Sequence, residues 1–159
     1  GLQLLEREKR IFKGEKDFTP DFTGKEYLLE RQLKPEARKD IIEELAKRDI
    51  VPTAMMDISD GLASDIRHIM ERSGVGAAID TERIPAAADA DIRTAACAGE
   101  DYVLLLTADC ADAERLAADF LARFGAPLHP VGRITDGREL EWFENGTLRP
   151  LDWHGFTHY

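Results

Sequence analysis

Two aspartates, Asp57 and Asp60, bracket Ile58 and Ser59 in the stretch TAMMDISDGLASDIRHIMERSG, residues 53–74. Carboxylates at this spacing, set across a strand-to-helix turn, can converge on one hard cation, which prefers oxygen ligands. A helix N-terminus beside them offers N–H groups and a partial positive charge to a phosphate. The Ser59 hydroxyl adds a hydrogen-bond donor, and Gly61 lets a ligand come close to the backbone. Carboxylates alone repel a phosphate, and a bound Mg2+ reverses the sign of that interaction. The same residues fit a second role: Ser59 or Asp60 as the N-cap that satisfies the first backbone N–H groups of the helix. The motif by itself leaves both readings open. Two acids also cannot complete an octahedral shell, so a metal here would need water, a nucleotide or other protein oxygens.

A second cluster is AGEDYVLLLT, residues 98–107, where Gly99 precedes two acids that lead straight into an apolar run. Glu100 or Asp101 either solvates the strand end or is aimed into a cleft from the edge of a sheet. The tail DWHGFTHY supplies Trp153, Phe156 and Tyr159, which can plug a core or stack on a flat ligand. His154 and His158 lack the further partners a metal site needs. Arg31, Lys34, Arg38, Arg67 and Arg72 read as solvated charge, and none is assigned to a phosphate. No Gly-rich phosphate loop is present.

Elements must hold these clusters in place. Residues 2–12 and 27–32 read as helices separated by a turn-rich connector with Gly14, Pro20 and Gly24. Pro35 suits the first turn of a helix over 36–48. IVPTAMMDI reads as a strand running into the motif. From Ser59 a helix is expected, with Leu62, Ile66, Ile69 and Met70 on its apolar side and SGVG as its end. GAAID is a strand, and residues 83–101 are Ala-rich and irregular or weakly helical. Tyr102–Ala108 reads as a strand buried on both faces. Asp109–Phe124 is a helix, LHPVGRI a strand, and ELEWFENGTL a hairpin turning at Asn145-Gly146. The elements do not follow a strict βαβ rhythm, so the expected class is α+β with a mixed β-sheet packed against helices.

The 159 residues are 43% hydrophobic and 33% charged, a globular composition with room for one ordinary core. A net charge of −10, from 31 acids and 21 bases, disfavours nucleic acid as a partner. No apolar run approaches the roughly 20 residues that cross a bilayer, so no membrane partner is expected and the expected location is cytoplasmic. Cys97 and Cys110 show no ligand spacing and read as reduced thiols.

MDISDGLASDI, then GVGAAID, AGEDYVLLLT and a terminal GFTHY together resemble the C-terminal half of the thiamine-monophosphate kinases. Relatives in the wider aminoimidazole ribonucleotide synthetase superfamily resemble these in fold but differ at the Asp-Ile-Ser-Asp position. The resemblance implies a kinase that uses Mg2+ and ATP to convert thiamine monophosphate to thiamine diphosphate. It matches Asp57 and Asp60 to metal-ligand aspartates and Ser59 to a nucleotide-contacting serine. Glu100 matches a substrate-contacting glutamate, and Phe156 the aromatic that contacts substrate near the C-terminus. Where the family usually reads Gly-Gly-Glu-Asp-Tyr, this chain has Ala98 before Gly99.

On the same resemblance, residues 1–35 are a remnant of the N-terminal half with its linker, and residues 36–159 are the C-terminal domain. The N-terminal half is then the chain's partner, the full-length protein a homodimer, and the fragment alone inactive. The competing expectations are a non-catalytic ligand- or partner-binding domain, or a related superfamily member acting on another phosphorylated metabolite.

Overall fold

Leu2–Gly14 and Glu26–Leu33 form helices α1 and α2, at the two places where apolar spacing predicts them. The computed structural model describes residues 2–14, 19–88, 90–100, 102–125 and 127–155. It divides into two units, Gly1–Ala37, which holds α1 and α2, and Arg38–Tyr159.

The helix expected over residues 36–48 is α3, Lys39–Lys47, and starts three residues later than expected. No Ser, Thr, Asp or Asn stands before Pro35 to cap a helix there. Instead the Arg38 side chain bonds Asp40 in the first turn at 2.9 Å. Strand β1 (Ala54–Asp57) leads into the motif, and α4 (Leu62–Ser73) leaves it. All four predicted apolar residues of α4 are buried, and Gly74 ends the helix in the left-handed conformation. Strand β2 is Gly76–Asp80. A 3-10 turn at Thr81–Arg83 leads into the Ala-rich stretch, which holds a short helix α5, Ile92–Cys97. Strand β3 (Leu104–Thr107), helix α6 (Cys110–Phe124) and strands β4 (Gly132–Thr135), β5 (Leu140–Glu144) and β6 (Thr147–Arg149) complete the unit.

Two sheets result. β1 and β3 pair antiparallel, with Asp57 opposite Leu104. The other sheet has the order β4-β2-β5-β6, with β2 parallel to β5 and the remaining pairs antiparallel. The mixed class expected from the sequence is the class observed. β5 and β6 turn at Asn145-Gly146, both at positive φ, as an Asn-Gly hairpin requires.

The core lies in two clusters on opposite faces of the β1–β3 pair. Leu62, Ile66, Ile69, Ile79, Leu105 and Trp142 anchor one, and Ile41, Leu45, Ile50, Leu116 and Phe120 the other. The prediction for Tyr102–Ala108 therefore needs correction. Leu105 meets the first cluster while Leu104 and Leu106 meet the second, yet only Leu105 is fully buried. A strand with a single partner strand cannot hide its whole length. Across the second cluster Glu44 of α3 accepts from Arg48 at 2.9 Å and faces Arg123 of α6 at 3.6 Å. The Arg48 bond holds the Glu44 carboxyl below its usual range.

Candidate functional site

The β1–β3 pairing does not stop where the strands end. Ile58 N–H donates to the Val103 carbonyl at 2.8 Å and Tyr102 N–H to the Ile58 carbonyl at 2.9 Å. Glu100 N–H then donates to the Ser59 carbonyl at 2.7 Å. This irregular ladder lays residues 98–100 along the motif and sets Glu100 beside Ser59, while Asp101 lies outside the described residues. It also holds Glu100 and Tyr102 at φ 65° and 50°, left-handed values that side-chain-bearing residues seldom adopt.

Close approach from two sides requires glycine. A Cβ on Gly99 would run into the Ser59 carbonyl, and one on Gly155 into the Asp60 carbonyl and the Ser64 side chain. Gly155 thus packs on the motif as well. Trp153 beside it packs against Trp142, ring centroids 5.0 Å apart and planes tilted by 54°, so it serves as a core plug. His154 pairs with Asp152 at 2.6 Å. Phe156 and Tyr159 lie outside the described residues.

The start of α4 bears on the capping role of Ser59 and Asp60. Its N-cap is Gly61, at φ 102° and with no side-chain hydrogen bond. Ser64 N–H and Asp65 N–H both donate to the Gly61 carbonyl at 2.9 Å. Neither Ser59 nor Asp60 is the cap. Asp57 is exposed at the end of β1, while Ser59, Asp60 and Glu100 are half-buried.

Sequence reasoning missed Asp65. It is 1% exposed, and one carboxylate oxygen accepts from both Ser59 N–H (2.9 Å) and Asp60 N–H (3.0 Å). Those two N–H groups are therefore committed within the protein rather than offered to a phosphate. The signal was available: Asp65 falls between Leu62 and Ile69 on the apolar stripe, where a carboxylate needs internal partners. His68, one turn further along α4 and exposed, was missed too. Asp60, Asp65 and His68 each offer a ligand atom, all within 4.8 Å of one another. Asp57 is not a member of that group. Two hard oxygens and one imidazole fit a divalent cation, although one Asp65 oxygen already accepts two backbone bonds.

Residues 2–143 match the family described as AIR synthase related protein, C-terminal domain. The chain belongs to that family. Its relatives in it include the thiamine-monophosphate kinase of Salmonella typhimurium, 34% identical over 148 residues that cover 86% of this chain and 44% of that protein. The thiamine-monophosphate kinase of Aquifex aeolicus is 38% identical over 117 residues, covering 67% and 34%. Among solved structures, AaThiL complexed with AMPPCP and TMP superposes with a TM-score of 0.63 at 28% identity, covering 95% of this chain and 46% of that one. The thiamine-monophosphate kinase from Stenotrophomonas maltophilia K279a gives a TM-score of 0.67 at 28% identity, covering 87% and 46%. This member of the AIR synthase related family thus spans less than half the length of each of these proteins. The family match takes in α1, α2 and the second unit as far as residue 143.

Proposed function

We propose that this chain is the C-terminal half of a cytoplasmic kinase that transfers the γ-phosphoryl group of ATP to thiamine monophosphate. A phosphate oxygen of thiamine monophosphate attacks the γ-phosphorus, the bond to the β-phosphate breaks, and thiamine diphosphate and ADP leave. The observation that carries this reading is the start of α4, where a carboxylate-rich loop is held next to Glu100 without serving as the helix cap. The kinase names of the relatives support the reaction, and the AaThiL complex with AMPPCP and TMP supports a nucleotide and a monophosphate as ligands.

In this reading Asp57 and Asp60 hold Mg2+, which neutralises phosphate charge as phosphoryl transfer requires. Ser59 contacts the nucleotide. Glu100 and Phe156 contact the substrate, whose thiazolium cation suits both a carboxylate and an aromatic face. Residues 1–35 are the end of the N-terminal half with its linker, residues 36–159 are the C-terminal domain, and the full-length protein is a homodimer. The chain alone lacks the rest of the site and has little or no kinase activity.

The test is formation of thiamine diphosphate by the full-length protein at varied Mg2+, wild type against Asp57→Asn and Asp60→Asn. Wild-type turnover with both variants reduced by two orders of magnitude or more supports the reading. Variants as active as wild type overturn the metal assignment, and robust turnover by residues 1–159 alone overturns the claim that this half is inactive.

A further inference from the structure

Asp65 stands at a position where the fold alone would favour an apolar residue. It is 1% exposed on the stripe that buries Leu62, Ile66 and Ile69, and burying a carboxylate there costs free energy unless donors meet it. The donors are the backbone N–H groups of Ser59 and Asp60, at 2.9 and 3.0 Å, taken by a single oxygen. Planar peptides make this consequential. With the N–H of residues 59 and 60 turned inward to Asp65 and the Ser59 carbonyl bonded to Glu100 N–H, the backbone of the motif is fixed from both sides. The side chains of Ser59 and Asp60 keep only their own rotations.

We propose that Asp65 is a positioning residue: from within α4 it locks the Ser59–Asp60 backbone so that the two side chains present their oxygens to the divalent cation and phosphates. The proposal rests on the kinase reading for what is presented, and on the hydrogen bonds alone for the locking. Asp65 acts through the loop, whereas Asp60 acts directly. An asparagine at position 65 keeps an oxygen that can accept both N–H bonds and loses the charge. An alanine keeps neither.

The experiment uses the full-length protein with two readouts. The first is amide hydrogen exchange at residues 59 and 60, which needs no activity. The second is Mn2+ binding with ATP, followed by electron paramagnetic resonance. In Asp65→Ala we expect exchange at both amides to accelerate at least tenfold and the Mn2+ half-saturation to rise about tenfold. In Asp65→Asn both should return to within about threefold of wild type, and in Asp60→Asn metal binding should fall while both amides stay protected. Unchanged exchange in Asp65→Ala overturns the locking. Should Asp65→Asn keep its amides protected but lose Mn2+ as Asp60→Asn does, Asp65 is itself a ligand and the proposal fails. A wild-type protein that protects these amides but makes no thiamine diphosphate contradicts the kinase reading and leaves the locking supported. If Asp65→Ala does not fold, Asp65→Leu, which fills the place on the apolar stripe but offers no acceptor, is read by the same two criteria.

Discussion

Helices α5 and α6 begin in one way and α4 in another. Asp91 caps α5 by accepting from Thr94 N–H at 2.8 Å, and Asp109 caps α6 by accepting from Ala111 N–H at 2.9 Å. α4 has Ser59 and Asp60 within two residues of its cap position, yet starts on a bare glycine. At two helix starts the acid serves the helix. At the third, the fold supplies a different carboxylate, Asp65, to hold the loop, and Asp60 lies half-buried beside the Gly61 cap. Acids at helix starts thus divide by what their oxygens accept, which residue type alone does not reveal.

Substitution gives the sharpest way to break this contrast. Asp60→Asn in the full-length protein should lower kcat/KM at least 100-fold while moving the thermal midpoint by less than about 2 °C, since no helix cap is lost. Asp109→Ala should do the reverse, leaving turnover within twofold and lowering the midpoint by about 2–4 °C. Equal effects of the two on stability, measured by calorimetry, would erase the distinction. Next in size is Gly99→Ala. Its methyl group would meet the Ser59 carbonyl, and overpacking of this kind costs about 1–3 kcal/mol. We expect lower stability and roughly tenfold lower turnover, because the ladder that sets Glu100 beside Ser59 must shift.

Smaller effects sharpen the same comparison. Burial pushes the Cys97 thiol up, and its carbonyl lies against Gly61 at the start of α4, whereas Cys110 is exposed at the start of α6. An alkylating reagent at neutral pH should modify Cys110 first, as peptide mass spectrometry can check. Smallest is the acid response of α5. Bonds from the Thr94 backbone N–H and then its hydroxyl hold the Asp91 carboxyl below its usual range. A depressed folded value means that the stabilisation is present above the unfolded value of about 3.9 and is lost as pH falls through the folded one. Amide signals of α5 should therefore fray below about pH 4, and Asp91→Asn should remove that pH dependence.

Much of this was readable from the sequence, for physical reasons. Residues 62, 66, 69 and 70 follow the helical period strongly, and all four are buried. Asn145-Gly146 names its own turn. The limits are equally physical. The start of α3 slipped because Pro35 tolerates a first turn without requiring one. α5 was hidden in a run of small residues with little periodic contrast. In the site, spacing placed Asp57, Ser59 and Asp60 at a strand-to-helix turn, and the structure bears out that placement. What spacing could not supply was the bond pattern: that Gly61 is the cap, that Glu100 bonds across to Ser59, and that Asp65 turns back to hold the loop. The Glu100 bond depends on how β3 returns to β1, a long-range pairing with no local mark, whereas the Asp65 bonds are local and marked only by a carboxylate on the apolar stripe. His68 entered only through its neighbours in space.

The central claim is that the motif between β1 and α4 holds a divalent cation. Mn2+ binding by the full-length protein in the presence of ATP, followed by electron paramagnetic resonance, tests it most directly. Saturable binding that weakens at least tenfold in both Asp57→Asn and Asp60→Asn, with Asp109→Ala unchanged, is the predicted result. Wild-type Mn2+ affinity in the two motif variants would contradict it.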